Sequence, residues 1–159
     1  MFGDIFLKNE NINGYNFISV SHYYKLKLID LSSIKPIAMS ISNDNRKLIE
    51  LNQPRFGFNN RPYTDWYAAM KYCKENGMYL PSREELVEFV KSGGVKKFNK
   101  LVNELHDFCP NAVALDESNY YWSSLEYGSY FAWSVDTNGG NVRNYGKDSS
   151  YYVRALLAL

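Results

Sequence analysis

The spacing of apolar and polar positions divides the chain near residue 60. Before that point the pattern is that of short strands. Phe17 to Val20 and Tyr23 to Leu31 run apolar or alternate, and they use the β-formers Ile, Val, Tyr and Phe. Ile37 to Ile41, just after Pro36, and Leu48 to Leu51 predict two further short strands. The cluster Asn59-Asn60-Arg61-Pro62 marks the boundary. The period then becomes helical. Trp66, Ala69, Met70 and Cys73 fall at i, i+3, i+4 and i+7, which is one face of a helix. Thr64 is its expected N-cap, Asp65 suits the first turn, and Gly77 suits the residue after the C-cap. A second helix opens on the capping box Ser82-Arg83-Glu84-Glu85 after Pro81 and ends at Gly93-Gly94. Leu86, Phe89 and Val90 would be its core face. A third is expected from Val95 to His106, stopping before Pro110.

From Tyr120 onward the pattern returns to strands. Tyr121 to Ser123, Phe131 to Val135, Asn141 to Arg143 and Tyr151 to Leu157 are the expected elements. Asn138-Gly139-Gly140 supplies a hairpin turn between two of them. Trp122, Trp133, Val135, Val142, Val153, Leu156 and Leu157 recur as core anchors. The two halves together predict an α+β chain. It comprises a β-rich segment over residues 1–60 and a second domain over 61–159, with two or three helices packed on short antiparallel strands.

Composition narrows the function classes. The 159 residues are 45% hydrophobic and 16% aromatic, enough for a packed core. A formal net charge of +1 argues against a partner bound through phosphate neutralisation, so no nucleic acid is expected. No run approaches the roughly 20 apolar residues of a membrane span. The N-terminus lacks a basic segment followed by an apolar one, so no secretory signal is expected. Two cysteines and two histidines leave little for a metal site. Cys73 reads as a buried core thiol and Cys109 as a loop residue before Pro110. A bond between them stays open, although the missing signal points to a reducing compartment. His22 falls in an expected strand and His106 near a helix end, where it suits the helix dipole. No Cys-x-x-Cys, His-Glu-x-x-His, phosphate loop or Gly-x-Ser-x-Gly is present, and Glu84, Glu85 and Glu88 read as a solvated helix face. No catalytic residue, cofactor or metal ligand is therefore named, and the reading is of a protein that is not an enzyme.

The bias of the C-terminal stretch is the most informative feature. Between Tyr120 and Arg154 there are seven Tyr, six Ser, four Gly, three Asn and two Asp. Those are the residues of adaptable binding loops. Tyr offers large contact area with few torsions to freeze, while Ser, Gly and Asn offer flexible hydrogen bonding. An ordinary β-rich half with tyrosine in its strands and Asn/Gly in its turns would have the same composition.

Longer motifs separate these readings. Trp66, Ala69, Cys73 and Gly77, the run Leu80-Pro81-Ser82-Arg83-Glu84-Glu85-Leu86, then Tyr121-Trp122-Ser123-Ser124, Ala132-Trp133 and Tyr152-Val153-Arg154 occur in order. Together they resemble the bacterial C-type-lectin-like domains related to the formylglycine-generating-enzyme fold. The tail from Tyr120 resembles the variable region of a diversity-generating retroelement target protein, of which the phage tropism determinants are one kind. The resemblance covers about Thr64 to Leu159. It implies a C-type-lectin-like fold and a ligand-binding display protein whose C-terminal face is diversified to bind varied protein or cell-surface receptors.

In that family, Asn codons are scattered by misincorporation opposite template adenines. Trp122, Ala132, Trp133, Val135, Gly140, Val142, Lys147, Tyr152, Val153 and Arg154 keep the framework pattern. The resemblance makes Gly128, Tyr130, Phe131, Ser134, Asp136, Gly139, Arg143, Tyr145, Gly146, Asp148, Ser149 and Tyr151 the ligand-binding positions. All twelve are residue types reachable from Asn codons by adenine changes. The framework tryptophans Trp66, Trp122 and Trp133 are expected to be buried, and the variable side chains to stand on an exposed strand face. Phe131 breaks the split, because it shares parity with Trp133.

Departures also count. The Glu-Pro-Asn, Gln-Pro-Asp and Trp-Asn-Asp motifs of calcium-dependent sugar binding are missing, and Trp133-Ser134-Val135-Asp136 does not replace them. The C-terminal half has no counterpart of the catalytic cysteine pair of a formylglycine-generating enzyme. The alternative reading is a non-diversified structural module of a phage tail, fimbrial or cell-surface assembly, with residues 1–60 as the assembly element. Synthesis is expected in the cytoplasm, with display in a phage virion or by a non-classical route. Homo-oligomerisation is left open.

Overall fold

The computed structural model describes residues 62–104, 106 and 113–158, and before them residues 6–12, 15–21, 38–40, 47–50 and 56. The architecture is α+β. Strands β1 (Phe6–Ile12), β2 (Tyr15–Ser21), β3 (Ala38–Ser40) and β4 (Lys47–Glu50) come first. Strand β5 (Tyr63–Thr64) leads into helices α1 (Trp66–Glu75), α2 (Arg83–Lys91) and α3 (Gly94–Glu104). Strands β6 (Tyr120–Tyr127), β7 (Phe131–Asp136), β8 (Val142–Gly146), β9 (Tyr151–Tyr152) and β10 (Leu156–Ala158) complete the chain. The expected strands near residues 17–20, 37–41 and 48–51 coincide with β2, β3 and β4. The one expected at Tyr23 to Leu31 lies outside the described residues, as do His22 and Cys109.

Two five-stranded sheets result, ordered β1-β2-β3-β4-β10 and β5-β9-β6-β7-β8. Both are mixed, since β2 pairs antiparallel with β1 but parallel with β3, and β6 pairs antiparallel with β7 but parallel with β9. The apolar run Tyr151 to Leu157 is therefore two strands. Tyr152 pairs with Tyr63 and Tyr121 in one sheet, whereas Leu156 pairs with Ile49 in the other. Between them Val153, Arg154 and Ala155 are buried where the chain crosses over. An apolar alternation is the same whether one sheet or two receives it, so the sequence pattern did not show the break.

The helix boundaries correct two details. Asp65, not Thr64, caps α1: its carboxylate accepts the Ala68 N–H at 2.8 Å, while Thr64 is in β5. Asp outcompetes Thr here because its oxygen carries charge as well as reach. At the other end Gly77 takes φ +66, as the C-terminal signal required. The capping box of α2 is present in both directions between Ser82 and Glu85. Leu86, Phe89 and Val90 are only half-buried, however, and no residue of α2 is fully buried. The helix packs on β6 and β7 without burying any of its side chains fully. Gly94 begins α3 and does more than end α2. A side chain there would meet Phe89 at 2.5 Å, so the close turn between the helices needs glycine.

One core cluster lies between α1 and the second sheet. It contains Trp66, Ala69, Cys73, Met78, Leu80, Trp122, Ala132, Val153 and Ala155. Both buried indoles are hydrogen-bonded: Trp122 Nε1 donates to Thr64 O and Trp66 Nε1 to Ser123 O, each at 2.9 Å. Phe98 of α3, Leu115, Tyr121 and Val135 are buried as well. Arg154 is buried with its guanidinium over the Phe98 ring, and it donates to Val113 O at 2.7 Å. Trp133 departs from expectation. It is half-buried, with the Arg83 guanidinium 5.1 Å from its ring centre and Tyr127 edge-on at 5.0 Å.

Candidate ligand-binding face

Strand pairing decides which of the singled-out residues meet. Trp122 faces Ser134 across β6 and β7, and Ala132 faces Tyr145 across β7 and β8. With the two-residue strand period, Tyr120, Trp122, Ala132, Ser134, Asp136, Arg143 and Tyr145 share one face of the sheet. Tyr151 joins them from β9. Its ring stacks on Tyr145 with centroids 4.3 Å apart and meets Trp122 edge-on at 5.1 Å. Tyr120 sits edge-on to both tyrosines, at 5.4 Å to Tyr145 and 6.4 Å to Tyr151.

Strands β8 and β9 are separated by β6 and β7, yet their tyrosines touch. Strand β7 makes this feasible, because it presents the small Ala132 and Ser134 to that face before Asp136 at its end. Rings leaning inward from either side meet above these small residues. Both small residues have no exposed surface, and the Ser134 hydroxyl donates to Arg143 O at 3.0 Å. This corrects the expectation for Ser134, which belongs to the floor beneath the rings and not to the exposed face.

The three phenols at the centre are half-buried. The Tyr120 hydroxyl is pushed up from its ordinary pKa first by burial, with the Arg143 cation opposing the shift and Tyr145 and Asp136 adding to it. Tyr151 is pushed up first by burial and then by Tyr145 and Tyr63. Tyr120 and Tyr151 therefore stay protonated at neutral pH, and the cluster offers hydroxyl donors and flat apolar rings together. Exposed Arg143 and half-buried Asp136 add one charge of each sign.

The remaining candidates divide. Gly128 and Tyr130 are in the β6–β7 turn, and Asp148 and Ser149 follow β8. These two turns lie side by side, because Lys147 N–H donates to Tyr130 O at 2.8 Å. Tyr130 is 77% exposed, the most open of the large hydrophobic side chains among the described residues. Gly139 is in the β7–β8 turn at the other end of β7, with φ +100. Phe131 and Gly146 oppose each other on the reverse face of the sheet, with Trp133 and Tyr127. They do not join the tyrosine cluster, and the parity conflict at Phe131 is resolved in that way. Tyr120 was missed by the sequence reading. It was placed in neither the framework nor the ligand-binding set, although its parity with Trp122 was the signal placing it beside a core tryptophan at the rim of the face.

Among the described residues no group of three or more His, Cys, Asp and Glu is arranged to hold a metal ion. No described helix is long and apolar enough to cross a membrane. Cys73 is buried on α1, and His106 is exposed in a turn after α3. The arrangement is suited to non-covalent recognition of a surface by stacked rings, hydroxyls and turn residues. No family model matches the sequence, and a search of curated proteins finds no match.

Proposed function

We propose that the chain is a ligand-binding display protein with a C-type-lectin-like fold, the diversified target of a retroelement, and that its partner is a protein or cell-surface receptor. The observation that carries this reading is the cluster of Tyr120, Tyr145 and Tyr151 over the Ala132–Ser134 floor. Tyrosine-rich surfaces on a rigid scaffold bind by large contact area at low entropic cost. The Tyr145 and Tyr151 rings pack on the core, so their positions are set before a partner arrives. The neighbouring turns fit the codon argument as well. Gly128 and Gly139 have positive φ, a region that Gly and Asn occupy more readily than other residues. Asn bears that conformation with less strain than most other side chains, so glycine and Asn are the residues best suited to an Asn-derived position there.

A second reading, a non-diversified structural module of a phage tail, fimbrial or cell-surface assembly, draws on the other sheet. Its terminal strand β1 lies at the sheet edge, where a partner strand can add by main-chain hydrogen bonds. Sequencing the gene's flanks, and its 3′ end in independent isolates, separates the two. A neighbouring reverse transcriptase, a near-repeat of the tail and substitutions at template adenines are expected for the display protein. Empty flanks with an invariant tail would overturn it in favour of the module.

A further inference from the structure

We propose that Lys147 is a positioning residue that anchors the main chain of the Gly128–Tyr130 turn to the start of α1, so that the turn keeps its place whatever side chains it carries. Lys147 is 4% exposed, an unusual state for an ammonium group. Its Nζ lies 2.6 Å from Glu126 Oε2 and donates to Ser129 O at 3.1 Å. The same Nζ sits 4.7 Å from the centre of the Trp66 ring and 5.9 Å from that of Tyr67. An ammonium has three donors and a large desolvation cost, which a carboxylate, a carbonyl and two ring faces offset together.

The main chain of Lys147 extends the same anchor. Its N–H donates to Tyr130 O at 2.8 Å, and its carbonyl accepts the Trp66 N–H at 3.0 Å. Both bonds from Lys147 to the Gly128–Tyr130 turn therefore end on backbone carbonyls, those of Ser129 and Tyr130. Neither depends on which side chains the turn bears. On the opposite side the contacts go to Trp66, which is buried and tied to Ser123 O. The anchor thus runs from the core to the turn backbone through one residue, by its main chain and its side chain together. An exposed ion pair would contribute little to holding a turn. Here the lysine is enclosed, so losing its head group would leave the Ser129 carbonyl without its donor.

The proposal gives the display reading its scaffold but needs no ligand to be tested, so the two can fail separately. Amide hydrogen exchange by NMR on the full chain is the measurement. In Lys147→Met, the amides of Trp66, residue 147 and Ser149 should exchange roughly 10- to 100-fold faster. The Asp136 amide, bonded to Asn141 O at the opposite end of β7, should be unchanged. With Lys147 in place, replacing Ser129 and Tyr130 together by Asn should leave the Trp66 and Lys147 amides unchanged. Equal acceleration at Asp136 would make Lys147 a general prop and overturn the proposal. So would no acceleration at all, or a faster Lys147 amide after the turn replacement alone. If Lys147→Met does not fold, Glu126→Gln serves instead. A smaller acceleration confined to the same amides supports the anchor, and its absence overturns it.

Discussion

Trp122 and Trp133 stand on adjoining strands and face opposite sides of one sheet. Trp122 has no exposed surface, and its indole N–H is satisfied by Thr64 O. Trp133 is half-buried, held between Arg83 and Tyr127. The difference follows from what covers each face. Helix α1 closes the Trp122 side into a core, and the tyrosine cluster forms the rim of that same core. The nine-residue α2 covers the Trp133 side with half-buried side chains only. A binding surface built on the first face thus inherits the rigidity of the core, while Trp133 on the second face takes part of its cover from the half-buried Arg83.

The largest expected effect tests that contrast directly. Trp122→Ala should lower the unfolding free energy by about 3 to 5 kcal/mol in urea titration. Trp133→Ala should cost only about 1 to 2 kcal/mol. Equal losses would mean the two faces are equally closed.

Alkaline pH sharpens the comparison. Tyr121 lies on the Trp133 side but is buried, and burial pushes its phenol up to about 12. The folded chain therefore holds that proton more tightly than the unfolded chain does. Stability is complete below pH 10 and falls above it, by up to about 1.4 kcal/mol per pH unit, until the folded phenol also ionises near pH 12. Tyr121→Phe should flatten this fall in pH-dependent thermal denaturation. It should also cost about 1 kcal/mol at neutral pH through loss of the Asp116 N–H bond to the hydroxyl. A slope unchanged by the substitution would place the titration elsewhere.

The floor beneath the tyrosines gives the next contrast. Ser134→Tyr would drive a ring into the space where Tyr145 and Tyr151 meet and should destabilise by about 1 to 3 kcal/mol. Ser149→Tyr, on an exposed turn, should change stability by less than about 0.5 kcal/mol. Thermal melts of the two variants compare them, and similar shifts would remove Ser134 from the floor.

Much of the local structure was legible in the sequence. The capping box at Ser82, the glycine after α1 and the Asn138-Gly139-Gly140 turn act through neighbouring atoms, so residue types a few positions apart are enough to reveal them. Less of the candidate site was legible. The resemblance grouped twelve positions, and strand pairing then sent Phe131 and Gly146 to the reverse face and Ser134 to the floor. The missing member, Tyr120, was in neither set, and parity alone could not place it, because a sheet face has both a covered centre and an open rim.

What the sequence alone determined is the set of short-range elements and the tyrosine-rich bias of the tail, since hydrophobic period and capping are local properties. What tertiary structure decided is which rings meet. Tyr145 and Tyr151 touch across two intervening strands only because β7 is narrow at Ala132 and Ser134. Lys147 is buried only because Trp66 at the start of α1 and Glu126 and the Ser129 carbonyl of the β6–β7 hairpin converge on it from two separate parts of the chain. Contacts of that kind depend on register and on the size of the residues between, and neither is carried by the two tyrosines or the lysine themselves.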